Sequence, residues 1–366
     1  MILTAIGILI LYLTFLRFSV ALINMLSRPY LPVPPGEYGH LPSLSVLIPV
    51  RNEEKNIGTL LGTLAVLPYP DAEIIVYDDG STDNTALVIE GYSRVDSRVR
   101  YLRGSDLPEG WTGKNRSCHN LASEARGEYL LFLDADVIVG NDLLRNAVLY
   151  SVKHKLTLLS MFPGQVMKTK GEKTVVPFMF RILLSLLPLF LIRRCTWVSF
   201  SAANGQMMLF RGDAYREHRF HERVRDKLAE DIEIMRDIKR LRLKGDTLVG
   251  RKEIRCRMYH SYMEGVNGFS RNIFSMFGNS WIFFLLYSLT GLAGWIVLLF
   301  LPWYYLLSYI IMVISLNAMI AITSGQKVTE NLRRLLPGIA AFYHIACLAV
   351  KRIFSRSYEW KGRKVG

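Results

Sequence analysis

The sequence predicts an α/β fold with a mostly parallel central sheet, set between transmembrane helices. Three observations carry this. Short β-forming runs alternate with helical repeats from Leu44 to Leu133, the pattern of a parallel sheet with right-handed crossovers. Uncharged stretches flank that region, and Asn272 to Gln326 contains no Asp, Glu, Lys or Arg. Mean hydropathy is +0.21, with 51% apolar and 21% charged residues. Such a chain is not disordered, and its apolar excess needs a home outside a water-soluble globule.

The elements follow in order. Ile2 to Leu26 is apolar except for Arg17. It lacks the basic n-region and A-x-A site of a cleaved signal, so residues 1–27 are expected to be a retained anchor, with the Arg17 head reaching water near an interface. Residues 28–43 form a linker stiffened by Pro29, Pro32, Pro34 and Pro35. A soluble domain is expected over 44–271. Its strands are Leu44–Val50, Glu73–Tyr77, Val99–Leu102 and Tyr129–Leu133; its helices are Ile57–Leu67, Asn84–Tyr92 and Asn115–Ala125. Within it, Val175 to Ile192 is apolar but interrupted by Arg181 and Pro188, which suggests an interfacial helix. Residues 272–326 are read as two spans, Trp281–Leu301 and Trp303–Ile322, hinged at Pro302, with Trp281, Trp303, Tyr304 and Tyr305 as belt residues. Residues 327–366 hold a short apolar segment, Leu335–Val350, and a tail with Lys351, Arg352, Arg356, Lys361, Arg363 and Lys364 against Glu359. The positive-inside rule makes that tail cytoplasmic. With a cytoplasmic catalytic domain and two spans between them, Leu335–Val350 is then expected not to cross.

The net charge of +14 admits three partners: nucleic acid, an anionic membrane or an acidic substrate. The basic residues sit beside apolar segments and no RNA or DNA motif is present, so nucleic acid is excluded. Arg28, Arg181, Arg193 and Arg194 are expected to hold the domain against anionic lipid. The cysteines, Cys118, Cys195, Cys256 and Cys347, have neither disulfide-scaffold nor zinc spacing.

In parallel sheets ligands bind beyond the carboxyl ends of strands, so the residues following each strand matter most. They are Arg51, Asn52, Glu53 and Glu54; then Asp78, Asp79, Gly80, Ser81, Thr82 and Asp83; then Asp134, Ala135 and Asp136. One acidic turn is ordinary turn and cap chemistry, and Asp83 or Asn84 fits a helix cap. Three on one sheet edge repel each other and imply a cation; all-oxygen ligands suit Mg2+ or Mn2+. Neither a P-loop nor a GxGxxG follows a strand, which excludes the usual NTPase and dinucleotide readings.

The ordered set PVRNEE (49–54), YDDGSTD (77–83), GKN (113–115), FLDADV (132–137) and LAEDIEI (228–234) resembles family-two inverting glycosyltransferases, which have a nucleotide-sugar-binding, GT-A-like fold. The resemblance covers about residues 44–260. The membrane flanks are similar to those of the branch that glycosylates lipids, including carotenoid and hopanoid-associated transferases, and the tail YEWKGR (358–363) resembles that of diaponeurosporenoate-type enzymes. The resemblance implies roles residue by residue. Glu53 and Asp79 would contact the nucleoside, and Lys114 would lie near the nucleotide. Asp136 would bind Mn2+ or Mg2+ with Asp134 in the metal and ribose shell, and Asp231, paired with Glu230, would be the catalytic base.

The chemistry needs a neutralised diphosphate, for which a metal, Lys114, Arg257 and Arg271 are candidates. It needs a carboxylate base opposite the leaving group. His218, His221 and His260 are alternative bases whose spacing forms no triad. Read without the resemblance, Asp231 is as well explained as a surface acid on a charged helix, 226–242. The QxxRW motif of processive family members is absent, and Arg255–Tyr259 lies in its place, so single transfer is expected rather than polymer synthesis. The small polar run Ser201–Gln206 could wall the acceptor. The expected reaction joins a sugar from a UDP-sugar, UDP-glucose foremost, to a membrane lipid or terpenoid acceptor. A polyprenyl phosphate or glycerolipid acceptor and a non-catalytic membrane scaffold are the alternatives. The expected location is the cell membrane, multi-pass, with the catalytic domain facing the cytoplasm. The sequence carries no signal for oligomeric state.

Overall fold

A computed structural model of the chain describes all residues except 34–39, 105, 292, 356–358, 361–362 and 365–366. Part of the proline linker (Pro34, Pro35) and half of the YEWKGR tail (Tyr358, Lys361 and Gly362), with Arg356 before it, therefore lie outside the described residues. The first element is α1 (Ile2–Ser27). After the linker come β1 (Leu44–Val50), α2 (Ile57–Val66), β2 (Ala72–Asp78), α3 (Thr85–Val95), β3 (Val99–Arg103), α4 (Gly113–Glu124) and β4 (Tyr129–Leu133). These four strands run parallel, with Val46 level with both Ile74 and Leu131. Their apolar runs are near-continuous because both sheet faces are covered. Leu47, Ile75 and Phe132 point into one core, and Val46, Ile74 and Leu131 into the other.

The chain continues through β5 (Val137–Val139), α5 (Leu143–His154), β6 (Leu158–Phe162) and β7 (Gly164–Gln165). Then come α6 (Lys170–Val175), α7 (Pro177–Leu186), α8 (Phe190–Arg194), β8 (Met207–Arg211), α9 (Gly212–His218), α10 (Phe220–Arg223), α11 (Glu230–Arg240), β9 (Gly245–Val249) and β10 (Ile254–Cys256). The main sheet has seven strands in the order β3-β2-β1-β4-β8-β6-β9, and only β8 runs antiparallel to its neighbours. A small sheet, β5-β10-β7, sits at the carboxyl edge.

The expected interfacial helix over 175–192 is corrected. The segment breaks into α6, α7 and α8, and α7 is buried from Pro177 to Ser185. It lies between α1, α17 and α15 rather than on a lipid surface. Asn24, buried on α1, locks this seam. Its amide donates to the Leu184 and Leu187 carbonyls (3.0 and 2.9 Å) and its Oδ1 accepts from the Leu189 N–H (2.8 Å). Arg181 is buried too and donates to Asn331 Oδ1 at 3.1 Å, and Arg193 pairs with Asp246 at 3.2 Å. Of the four expected lipid contacts, Arg28 and Arg194 remain exposed.

The C-terminal region holds α12 (Tyr262–Met276), α13 (Trp281–Gly291), α14 (Gly294–Leu298), α15 (Trp303–Thr323), α16 (Val328–Arg333) and α17 (Leu335–Ser355). The boundary expected at 271/272 falls inside α12, which continues into α13 through a 116° bend. In place of the single straight span expected over Trp281–Leu301, α12 and α13 are long and apolar enough to cross only as a bent pair, a broken span or a re-entrant loop. α13 has 11 residues, about 16 Å at 1.5 Å each, well short of a hydrocarbon core. Gly294 opens α14 where α1 crosses it; a Cβ there would sit 2.7 Å from Ile10 Cγ2. Among the described residues, Ile2–Ser27, Trp303–Thr323 and Leu335–Arg352 are long and apolar enough to cross a membrane. The helix over Leu335–Val350, expected not to cross, thus meets the length and composition for crossing, its Pro337 tolerated in the first turn.

Candidate active site

The carboxyl ends of β1, β2 and β4 deliver the polar turns to one place. Asn84 stands at the N-cap of α3 without a side-chain cap bond, and the Asp83 carboxylate before it accepts from Thr85 N (3.0 Å) and Oγ1 (2.5 Å). Asp78 accepts from the Ser81 N–H (2.8 Å) and the Tyr101 hydroxyl (3.2 Å). With turn geometry handled by these two, Glu53, Asp79, Asp134 and Asp136 line one cleft of about 170 Å³ together with Lys114. Asp79 faces Arg51 at 3.8 Å, and Glu53 accepts from the Asn56 amide at 2.7 Å.

Lys114 is held by α4, whose first turn is capped by the Thr112 hydroxyl accepting from Asn115 N. It bridges the two acidic motifs, reaching Asp134 Oδ1 at 3.0 Å and Glu230 Oε1 at 3.2 Å. Burial opposes its charge, but Asp134 and Glu230 overcome that and push the ammonium pKa well up. Asp136 is pushed up to about 6, first by burial and then by the Asp134 charge. Cys256 and Gln206 lie against it: Cys256 Sγ donates to Asp136 Oδ2 (3.4 Å), and Gln206 Nε2 is 3.4 Å from Asp136 Oδ1 and 2.9 Å from Cys256 Sγ.

Asp231 occupies the first turn of α11. Its Oδ2 accepts from the Gly205 N–H at 3.0 Å and its Oδ1 from the Ile232 N–H at 2.8 Å. Burial and then the neighbouring Glu230 push this carboxyl up to about 7; Lys114 and the two N–H groups pull the other way. Gly205 is at closest approach: a Cβ there would lie 2.9 Å from both Glu230 Oε1 and Lys114 Nζ. Lys114, Asp134, Asp136, Glu230, Asp231 and Arg271 all line a second, larger cavity of about 2090 Å³. That cavity runs on between apolar side chains of α1, α7 and α13, such as Val20, Leu183 and Leu286. The Ser201–Gln206 run lies along its wall.

Arg257 is the exception. It is drawn away to Glu172 (2.8 Å, Nη2 to Oε1) and lines neither cavity. Glu172 already closes a capping box with Thr169 on α6, so Arg257 supports that turn instead of facing a diphosphate. Burial works against the Glu172 charge, yet Arg257 and the Lys168 and Thr169 N–H groups hold its pKa down at about 2. The alternative bases fall away as well. Burial lowers His221 to about 3 while its Nδ1 meets the Tyr215 hydroxyl at 2.6 Å. His218 and His260 lie 3.8 and 3.7 Å from Glu217 and Glu264, and neither lines the cavity.

The acidic donors at the sheet edge suit a divalent cation that shares its ligands with substrate. Among the described residues no cluster of three His, Cys, Asp or Glu side chains forms. Two carboxylates converge, however, and the buried Gln206 Oε1 beside them lacks a hydrogen-bond partner. An octahedral ion held by one or two carboxylates, with substrate phosphates and water completing its shell, fits that chemistry. Gln206 was legible only as part of a small polar run, since nothing local marks it as a neighbour of Asp136.

Residues 45–219 match the family described as Glycosyl transferase family 2. A 4,4'-diaponeurosporenoate glycosyltransferase of Staphylococcus aureus is 34% identical over 128 residues, 34% of this chain and 33% of that protein, so the match spans a third of the relative's length. The mannosyltransferase PcManGT of Pyrobaculum calidifontis, solved with GDP-Man and Mn2+, superposes with a TM-score of 0.54 over 95% of this chain and 99% of that one. At 16% identity that likeness is one of fold. The chain thus carries a glycosyl transferase family 2 domain over residues 45–219, built on a GT-A-like sheet and accompanied by helices long and apolar enough to cross a membrane.

Proposed function

We propose that this protein transfers one sugar from a UDP-sugar, UDP-glucose foremost, to a hydroxyl of a membrane lipid such as a carotenoid or other terpenoid, inverting the anomeric centre. The observation that carries this reading is the single cavity shared by Asp136 and Asp231 at one end and by apolar residues of α1, α7 and α13 at the other. A water-soluble acceptor needs no such wall. The relative's acceptor class, printed in its name, supports a terpenoid.

Glu53 and Asp79 bind the nucleoside in the smaller cleft. Asp136 and Asp134 would hold Mn2+ or Mg2+, which when bound supplies Lewis-acid neutralisation of the diphosphate. Lys114 and Arg271 add fixed positive charge on the same side. Asp231 takes the acceptor proton at a carboxylate oxygen, oriented by the Gly205 and Ile232 N–H groups. A base near neutral pKa is both ionised at working pH and basic enough to accept that proton. Glu230 keeps Lys114 in place. The basic residues from Lys351 onward favour a cytoplasmic side for that end and for the catalytic domain, with Arg28 and Arg194 toward anionic lipid.

The test is transfer from UDP-glucose to lipids extracted from cells lacking the gene, by the purified protein with Mn2+. Wild type should form a glycolipid, and Asp136→Ala and Asp231→Asn should not at comparable rate. Equal rates in all three would defeat the assignment.

A further inference from the structure

The loop between α8 and β8, residues 195–206, carries an aromatic pair that the catalytic chemistry leaves unused. Trp197 is 69% exposed. Its ring stacks on that of Phe200 at 5.9 Å and 17°, and the Phe200 N–H donates to the Trp197 carbonyl at 3.0 Å. That i to i+3 bond closes a β-turn and keeps the two rings together. The root of the loop is pinned as well. Lys239, buried on α11, donates to the carbonyls of Ile192 and Cys195, the latter at 2.6 Å. A single exposed apolar side chain is ordinary, but a stacked pair on a pinned turn is a built feature. Its height against a bilayer follows from α1. At 26 residues that helix is about 39 Å long, more than a hydrocarbon core of about 30 Å, so a crossing α1 brings its carboxyl end into the headgroup zone. Asn24, near that end, bonds to the backbone of Leu184, Leu187 and Leu189, and α8 adds only about 7.5 Å before the loop begins. Trp197 therefore stands near the headgroup level, where Trp is favoured. Leu26 and Leu186 are exposed at the same junction, as are Arg28 and Arg194, and Arg194 lies over the Phe190 ring at 5.4 Å. Val198, Ser199 and Phe200 line the large cavity, as do Ser19, Val20 and Ile23 of α1.

We infer that the Trp197–Phe200 turn, with Arg28 and Arg194, is an interfacial anchor that inserts into an anionic lipid leaflet and seats a mouth of the large cavity there. The indole and phenyl rings supply apolar area, and the indole N–H supplies a polar end suited to the headgroup level. The two guanidinium groups supply charge complementary to anionic lipid. A second copy of the chain is the poorer occupant, because a two-fold contact through this patch would bring its own arginines face to face. The consequence is a lateral route, in which an acceptor dissolved in the leaflet enters between α1 and this turn without crossing water. The route rests on the cavity being the acceptor site; the contact with lipid does not.

The test uses the purified full chain in phosphatidylcholine nanodiscs, with or without phosphatidylglycerol, and reads tryptophan emission. Wild-type emission minus that of Trp197→Phe isolates residue 197, since the other tryptophans are common to both. Lipids brominated near the headgroup end of the acyl chain should quench that difference, and aqueous iodide should not. Quenching by iodide without quenching by brominated lipid overturns the anchor. Omitting phosphatidylglycerol should weaken the lipid quenching; an unchanged response overturns the anionic leaflet as the partner. Trp197→Ser should raise the KM for lipids extracted from cells lacking the gene and carried in the nanodisc. The rise should be about tenfold, the size of withdrawing much of a large apolar side chain from lipid, with the KM for UDP-glucose unchanged. An unchanged lipid KM overturns the entry route. A halved mass of this variant in detergent, with no lipid quenching in wild type, would give the turn to a second copy and overturns the inference. Lipid quenching without any sugar transfer would remove the proposed function and leave the anchor standing, so the two readings fail separately.

Discussion

Replacing Asp231 with Asn keeps the shape of the side chain and removes its capacity to take a proton. The structure gives the size of the effect. Asp231 is pushed up to about 7, so the wild-type kcat/KM should rise about tenfold between pH 6 and pH 8 as the base ionises. General-base catalysis contributes roughly 10²–10⁴-fold, about 3–5 kcal/mol of barrier, so Asp231→Asn should lose that much and show no rise over the same range. The sign for stability is opposite. An acid whose folded pKa lies above its unfolded value of 3.8 favours the fold only while protonated. Its contribution is full below pH 3.8 and is lost as pH rises toward 7. Asp231→Asn should therefore raise the midpoint of thermal unfolding at pH 8 while lowering turnover. The assay is initial-rate glycolipid formation from UDP-glucose at saturating Mn2+, with unfolding followed on the same samples in detergent. A variant with wild-type rate and an unchanged pH limb would refute the base assignment. A mild loss would point instead to an acceptor phosphate, which is already ionised at neutral pH.

Three further outcomes follow from other contacts. Gly205→Ala puts a Cβ against the Lys114–Glu230 pair. It should cut kcat by about 10–100-fold through misplacement of about an ångström while changing the unfolding midpoint little, because flexible side-chain ends can move. Asn24→Leu leaves the Leu184, Leu187 and Leu189 backbone groups unpaired and should cost about 3 kcal/mol, read as a lower unfolding midpoint in detergent. Arg257→Gln should lower stability and leave the KM for UDP-glucose unchanged. The Glu172 contribution it supports is present above the ordinary carboxylate pKa of 4.5 and is lost as pH falls toward about 2. A raised donor KM in this variant would restore Arg257 to the diphosphate.

The sheet and its acidic edge were legible because both are local. Near-continuous β-forming runs mark β1, β2 and β4, and the turns after them carry the acids directly, so Glu53, Asp79, Asp134 and Asp136 could be read off as one cluster. Asp231 needed the family resemblance, since its own helix also explains it as a surface acid. What stayed hidden depends on contacts distant in sequence. Nothing near Arg257 announces that Glu172, 85 residues away, will claim it. Asn24 reads as one polar residue in an apolar helix until α7 and α8 meet it. The uncharged stretch over 272–326 carries no local sign that α12 and α13 meet at a sharp bend that walls the cavity. Arg17 was read as an interfacial residue because hydropathy alone cannot show that its guanidinium stacks over the Tyr287 ring, at 4.4 Å.

The central claim is that donor and lipid meet in one cavity across Asp136 and Asp231. The most direct measurement is mass spectrometry of total lipids from cells carrying the wild-type gene, the Asp231→Asn gene or none. The account predicts a lipid with a hexose-sized mass increment in the first and its absence from the other two; identical lipid profiles in all three would contradict it.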